Sequence, residues 1–128
     1  MLSGLDHLVI TVTDISRAVD FYSRVLGLDV RYRDGERVDL MLGDTALRLH
    51  WTATDIQPRA ATPTPGSLDI CLRSQLPLDE VQRHLEALSV DIELGPVPRQ
   101  GASSQIESLY LRDPDGNLIE ISRPLKPA

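Results

Sequence analysis

Hydrophobic and polar positions alternate along eight short segments of the chain, with the period of two that is typical of β-strands. In the first segment, residues 5–12, positions 8, 10 and 12 are apolar and share one face, while His7 lies on the other face. The same pattern predicts seven further strands, at residues 28–34, 37–43, 45–51, 67–73, 90–95, 106–113 and 117–122.

Two other segments have helical spacing. Residues 15–26 follow Asp14, a good N-cap, and precede Gly27, which is placed to end the helix. Residues 76–89 carry Val81, Leu85 and Leu88 on one side. Turns are predicted at residues 34–35, 43–44 and 113–116, and a loop at 96–105.

The order of these elements repeats. Strand, helix and three strands occupy residues 5–51, and the same order recurs over 67–124, after a connector at 52–66 that carries three prolines. Apolar positions recur with the same spacing, because Val19 and Leu26 correspond to Val81 and Leu88, each 62 positions later. The repeat predicts an α+β fold of two βαβββ units in one domain (residues 1–128), with a concave, open, barrel-like sheet and the helices outside.

Composition narrows the class of protein. The chain is 41% hydrophobic and 25% charged, which is typical of a globular domain. Its net charge of −6 argues against nucleic-acid binding. No apolar run is long enough to span a bilayer, and the N-terminus lacks the pattern of a signal peptide, so we expect a soluble, cytoplasmic protein without membrane contact. The single cysteine, Cys71, is interpreted as a buried small hydrophobe.

The repeat also relates polar residues to one another. His7 corresponds to Asp69, so the first strand of each unit carries a potential ligand at the same place. His50 and Glu120 lie late in strands that we take as equivalent. Imidazoles and carboxylates on one interior surface suit Zn²⁺, Ni²⁺, Fe²⁺ or Mn²⁺. The alternative for each residue is an ordinary exposed or hydrogen-bonded side chain.

The chain resembles the vicinal oxygen chelate superfamily, which includes glyoxalase I, fosfomycin-resistance thiol transferases, extradiol dioxygenases and bleomycin-resistance proteins. "LDHLVITVTDISRAVDFYSRVLGL" resembles the opening unit of that superfamily, and "YLRDPDGNLIEIS" its closing hairpin. The stretch at residues 95–122 is similar to a bacterial subgroup of glyoxalase-domain, virulence-related proteins.

By position, the resemblance implies that His7 and Glu120 are metal ligands. His50 lies at or next to the place of a glyoxalase I carboxylate, and Asp69 stands where that family usually has histidine. The predicted metal set is therefore His7, His50, Asp69 and Glu120, with Glu120 also as catalytic base. Contacts to an anionic or oxygenated substrate are predicted at Arg48, Arg73, Arg99 and Tyr110, with Arg99 in the 96–105 loop.

The leading hypothesis is a divalent-metal-dependent enzyme, favoured as a glyoxalase I-like lyase, that acts on a small-molecule substrate through an enediolate-like oxyanion. One alternative is an Fe²⁺ ring-cleaving dioxygenase with His7, His50 and Glu120 as its triad. Another is a metal-free resistance protein that sequesters a drug or other small ligand. The resemblance also implies a homodimer.

Overall fold

The computed structural model describes residues 1–34 and 37–125 and contains two four-stranded mixed sheets. Each sheet has one helical segment on its chain path, between its first and second strands. The predicted order of strand, helix and three strands is therefore observed twice. The chain divides into two compact units: the first comprises Met1–Leu68 with Pro114–Gly116, and the second comprises Asp69–Asp113 and the chain from Asn117 onward.

The first unit contains strands β1 (His7–Val12), β2 (Asp29–Arg33), β3 (Arg37–Leu42) and β4 (Thr45–Trp51), in the sheet order β1-β4-β3-β2. β1 is parallel to β4, and the other pairs are antiparallel. Gly43, with a φ of 57°, occupies the two-residue turn between β3 and β4, as predicted. The predicted turn at 34–35 reaches beyond the described residues.

The helix of the first unit changes its winding halfway. It begins as α1 (Ile15–Asp20), where the Asp14 side chain accepts a hydrogen bond from the Arg17 backbone N–H at 3.0 Å, and it continues as a π-helical turn (Phe21–Val25). Gly27 follows with a φ of 75°. The core of the unit combines helix and sheet side chains, namely Ala18, Phe21, Tyr22, Val25, Ile10, Val12, Val38, Leu40, Leu47 and Leu49.

The second unit contains β5 (Asp69–Arg73), α2 (Leu78–Ala87), β6 (Leu94–Gln100), β7 (Gln105–Arg112) and β8 (Leu118–Pro124). Its sheet order is β5-β8-β7-β6, with β5 parallel to β8. Apolar side chains from α2 and from one face of the sheet are buried, namely Leu78, Val81, Leu85, Leu109, Leu111, Ile119 and Ile121. In each unit the apolar positions of the strands thus form the core, and the polar positions lie on the opposite face.

One strand differs from its prediction. The predicted strand at 90–95 and loop at 96–105 are both wrong, because β6 extends over Leu94–Gln100 and only residues 101–104 separate it from β7. Pro96 and Pro98 are the reason that the segment reads as a loop, since proline cannot donate to a sheet ladder. β6 is an edge strand with a register irregularity between Leu94 and Val97, and an edge tolerates prolines.

Both sheets are open, each with two edge strands, so neither closes on itself. Among the described residues, no helix is long and apolar enough to cross a membrane.

Candidate functional site

Each sheet presents a polar face that carries predicted site residues. In the first unit, strand pairing places Val9 beside Arg48 and Thr11 beside His50, and it aligns Asp39 with Arg48 across β3 and β4. Side chains two residues apart on a strand share a face. We call this surface the arginine face, and its polar members are His7, Thr11, Asp29, Arg31, Arg33, Arg37, Asp39, Arg48 and His50.

A buried carboxylate organises the arginine face. Asp39 is 1% exposed and accepts two hydrogen bonds from Arg48, from Nε to Oδ1 at 2.8 Å and from Nη2 to Oδ2 at 3.2 Å. Arg33 approaches the same carboxylate, with Nε 3.4 Å from Oδ2. The hydrogen bond from Arg48 is the main cause that lowers the pKa of Asp39, against the opposing effect of burial. Asp39 therefore stays ionised and holds two guanidinium groups in place.

His7 lies between Asp6 and Arg48. Its Nδ1 is 2.7 Å from Asp6 Oδ1, and its Nε2 is 3.2 Å from Arg48 Nη1. A guanidinium can only donate, so Nε2 accepts and the ring proton lies on Nδ1, where it is donated to Asp6. The lone pair of His7 that a metal would use is therefore directed at an arginine.

His50 is half-buried on the same face, beyond Arg48. Burial is the largest cause that lowers the pKa of its imidazole, and the positive charges of Arg48, Arg37 and His7 lower it further. His50 is therefore an uncharged imidazole at neutral pH in a cationic environment. Arg37 is exposed and has no hydrogen-bond or ion-pair partner among the described residues.

The polar face of the second unit centres on Glu120. Pairing places this residue between Cys71 of β5 and Tyr110 of β7. The half-buried carboxylate accepts a hydrogen bond at Oε2 from the hydroxyl of Ser108, at 2.6 Å, and Ser108 itself is fully buried. We call this surface the glutamate face, and its members are Cys71, Ser108, Tyr110, Glu120 and Ser122. Asp69 is exposed at the start of β5 and pairs with Leu118.

Cys71 is exposed, which contradicts its interpretation as a buried hydrophobe. Residues of β5 alternate in exposure, and Cys71 falls on the polar face with Asp69 and Arg73. Its thiol donates to the Ser122 hydroxyl, with 3.3 Å between Sγ and Oγ. Although the residue as a whole is exposed, its sulfur lies against Ser122 and is partly desolvated, which is the main cause that raises the pKa of this thiol; the neighbouring carboxylate of Glu120 raises it further.

Two predicted substrate contacts lie against each other. Arg99 Nε donates to the Tyr110 hydroxyl at 3.0 Å, and its guanidinium lies 5.5 Å from the centroid of the tyrosine ring. Arg99 belongs to strand β6, so its placement in a loop is wrong. Arg73 ends β5 beside Ser122, exposed on the same sheet.

Strand pairing corrects one equivalence between the units. Arg48 pairs with Val9, two residues after His7, just as Glu120 pairs with Cys71, two residues after Asp69. By the same count, His50 corresponds to Ser122. The equivalent of Glu120 is therefore Arg48, not His50. The prediction fails because the β3–β4 turn has two residues and the β7–β8 connection five, which shifts the sequence spacing.

The predicted metal ligands are distributed over both units, with His7 and His50 in the first and Asp69 and Glu120 in the second. Over residues 1–34 and 37–125, neither unit contains a group of three His, Cys, Asp or Glu side chains that could hold a metal ion. A divalent cation between His7 and His50 would be repelled by Arg48 and Arg37. The arrangement of the arginine face does not fit a metal, and the four-residue set stays a prediction.

The sequence pattern did not predict two buried residues that hold site side chains in place. Asp39 and Ser108 are buried polar side chains that hold Arg48 and Glu120. Asp39 carried a signal, because strands disfavour aspartate and this one lies between Val38 and Leu40. Ser108 carried none, since a serine is common in exposed strand positions.

Comparisons with known proteins place the chain in a family. Residues 4–121 match the family model of the Glyoxalase/Bleomycin resistance protein/Dioxygenase superfamily. The chain belongs to this superfamily, which confirms the resemblance and the predicted fold class.

Individual relatives are similar over most of the chain. Virulence protein STM3117 of Salmonella typhimurium is 42% identical over 123 residues, covering 96% of this chain and 85% of the relative. The crystal structure of that protein has a TM-score of 0.95, with 98% and 99% of the two chains covered. Glyoxalase domain-containing protein RDO1 of Mycosarcoma maydis is 42% identical over 119 residues, covering 93% of this chain and 67% of the relative.

More distant relatives carry functional names. Metallothiol transferase FosB of Shouchella clausii is 28% identical over 130 residues, covering 94% of this chain and 80% of the relative. The structure of TnmS3, an antibiotic-binding protein from Streptomyces, has a TM-score of 0.77 at 25% identity and covers 97% of this chain and 98% of its own.

Proposed function

We propose that the protein is an enzyme of this superfamily that binds a small oxygenated molecule and uses Glu120 as the base of a glyoxalase I-like lyase reaction. The observation that carries the proposal is the Glu120 carboxylate itself. It is half-buried on a polar sheet face, with Oε2 anchored by the buried Ser108 hydroxyl at 2.6 Å. A base held by a buried partner keeps one orientation toward a reacting carbon–hydrogen bond.

The proposed substrate is the hemithioacetal of a 2-oxoaldehyde. Glu120 would take the proton from the carbon that carries sulfur, and the electron pair would move to the neighbouring carbonyl oxygen as an enediolate forms. The hydroxyl proton then moves to that oxygen, which leaves the negative charge on the oxygen next to sulfur, and return of the first proton from Glu120 to the adjacent carbon completes an isomerisation to a thioester. Positive groups stabilise the oxyanion while its charge develops. Substrate contacts at Arg48, Arg73, Arg99 and Tyr110 belong to this proposal.

A divalent ion, Zn²⁺, Ni²⁺, Mn²⁺ or Fe²⁺, stays part of the proposal because of the family and because one relative is named a metallothiol transferase. The proposed steps run through Glu120, since the side chains of the arginine face do not fit a cation. A homodimer is proposed on the same family grounds, and the cytoplasmic location stays a prediction from the sequence pattern.

The experiment is a thiol-adduct assay with a matched variant. Purified protein, reconstituted separately with each of the four ions, is mixed with methylglyoxal and a thiol, and thioester formation is followed. We expect turnover that falls about a hundredfold or more in Glu120→Gln. Glu107→Gln is the control, because Glu107 lies on the neighbouring strand but points to the opposite face. Thioester formation that survives in Glu120→Gln would refute the assignment of the base.

A second candidate function is metal-free binding of a drug or other small ligand. The similarity to an antibiotic-binding protein favours it. Saturable ligand binding to metal-stripped protein, without turnover under any of the four ions, would support this function over the lyase. The Fe²⁺ dioxygenase alternative needs His7 as a ligand, and the hydrogen bond from Arg48 to its Nε2 counts against that. Oxygen uptake with catechols tests it directly.

A further inference from the structure

We infer that the arginine face is a binding site for the oxyanion group, carboxylate or phosphate, of a small molecule, and that His7 and His50 belong to this anion site rather than to a metal centre. The inference rests on the proposed function only in that both place a small oxygenated ligand on this protein. The residues concerned all lie in the first unit.

The first argument is charge. Four guanidinium groups, those of Arg31, Arg33, Arg37 and Arg48, share this face with the buried carboxylate of Asp39 and the exposed carboxylate of Asp29. Asp39 and Asp29 offset two of these four charges and Asp6, beside His7, offsets a third, so the face keeps one positive charge in excess within a protein whose net charge is −6. A concentrated positive region on an acidic protein attracts anions locally and not over the whole surface.

The second argument is preorganisation. The fork of Arg48 is fixed on both oxygens of Asp39, and its third nitrogen, Nη1, is directed at His7. Arg33 uses Nε toward Asp39, which leaves its two terminal nitrogens as donors. Because these side chains are already ordered, they lose less conformational entropy when a ligand binds to them.

The third argument is the state of the donors that remain. Arg37 is exposed without a partner among the described residues, and it lies on the same sheet face as His50. His50 offers at least one ring N–H, and Arg37 offers a planar fork that matches two oxygens of a carboxylate or phosphate. A cation has no such partner here, since Arg37 and Arg48 repel it.

The test uses the full chain, with inorganic phosphate and pyruvate as separate probes. The ring signals of His50 and His7 are followed by NMR as each probe is added at constant ionic strength and pH. We expect saturable shifts of both rings, with tighter binding of one probe identifying phosphate or carboxylate as the preferred group. Arg37→Gln should weaken binding about tenfold or more, because charge-assisted hydrogen bonds are lost.

Arg37 is chosen because its side chain is exposed and pairs with none of the residues that the structure describes, so its replacement leaves the Asp39 pairs intact. Arg17→Gln, on the exposed surface of α1, removes the same charge elsewhere and should bind as the unchanged protein does. Shifts that grow linearly with both probes, or that are equal in the two variants, would overturn the inference. So would stoichiometric broadening of both ring signals by Ni²⁺, which would identify a metal pair.

This outcome is separable from that of the lyase assay. Anion binding is measured without turnover, and Glu120→Gln should leave it intact. Thioester formation without saturable anion binding would refute the anion site alone, and binding without thioester formation would refute the lyase alone.

Discussion

Replacement of Asp39 by asparagine tests whether one buried carboxylate holds the first polar face together. The change keeps the size of the side chain and removes its charge. Arg48, which donates two hydrogen bonds of 2.8 and 3.2 Å to this carboxylate, loses its charged partner. Arg33, whose Nε lies 3.4 Å from the same carboxylate, loses it as well. Removal of one partner of a buried ion pair costs about 3–5 kcal/mol.

We place the expected cost of Asp39→Asn at the lower end, about 3 kcal/mol, because the side chains of Arg48 and Arg33 are 24% and 49% exposed and recover some hydration. For a chain of 128 residues, that corresponds to a fall in Tm of about 10 °C. Urea unfolding followed by circular dichroism measures the cost. Asp29→Asn, an exposed aspartate at the start of β2, is the control and should change stability by less than about 0.5 kcal/mol.

The dependence on pH supplies the refutation. Because the folded state lowers the pKa of Asp39, its contribution is fully present above the unfolded pKa, about 3.9, and is lost as the pH falls through the folded pKa. The stability gap between the unchanged protein and Asp39→Asn should therefore narrow below about pH 4. A gap under about 1 kcal/mol at neutral pH, or one that stays constant down to about pH 2, would refute the reasoning.

Two further predictions concern Gly66 and Cys71. Gly66→Ala should destabilise the protein by about 2–3 kcal/mol in urea unfolding, because the φ of Gly66 is +79° and an added Cβ would lie 2.6 Å from the backbone oxygen of Asp115. Gly4→Ala is the control, because nothing lies within 4 Å of the Cβ that it adds. Equal stability of the two variants would contradict the prediction. Cys71, whose thiol pKa is raised by burial and by Glu120, should react with iodoacetamide more slowly than free cysteine at about pH 7.5, with a rate still rising above about pH 9. Glu120→Gln should speed that reaction, and a rate indifferent to the variant would rule out the electrostatic cause.

The fold could be predicted because alternation and repeat spacing report burial directly. Ile119 and Ile121, taken as core-facing from their positions alone, are 0% and 7% exposed, and Glu120 between them lies on the polar face. The same reasoning did not predict strand β6, because its two prolines are typical of a loop. A strand with two prolines is possible here because β6 lies at the edge of its sheet.

The chemistry of the site was less accessible from the sequence than the positions of its residues. The residue types predicted that His7 and His50 share a face, and pairing places both beside Arg48. Whether an imidazole binds a metal or an arginine depends on which neighbour reaches its lone pair. That depends on the register of β3, which places Asp39 and Arg48 side by side and which residue spacing alone does not determine.

The turn at Pro114–Gly116 means that the two repeats of this chain cannot be separated cleanly at the connector. These three residues belong to the first unit, although they lie in the second half of the sequence. Asp115 accepts a 2.6 Å hydrogen bond from the Thr13 hydroxyl, and its carboxylate also lies 3.3 Å from the Thr13 backbone nitrogen. A cut in the 52–66 connector would therefore not release two self-sufficient halves, because the amino-terminal fragment would lose a cap at the end of β1.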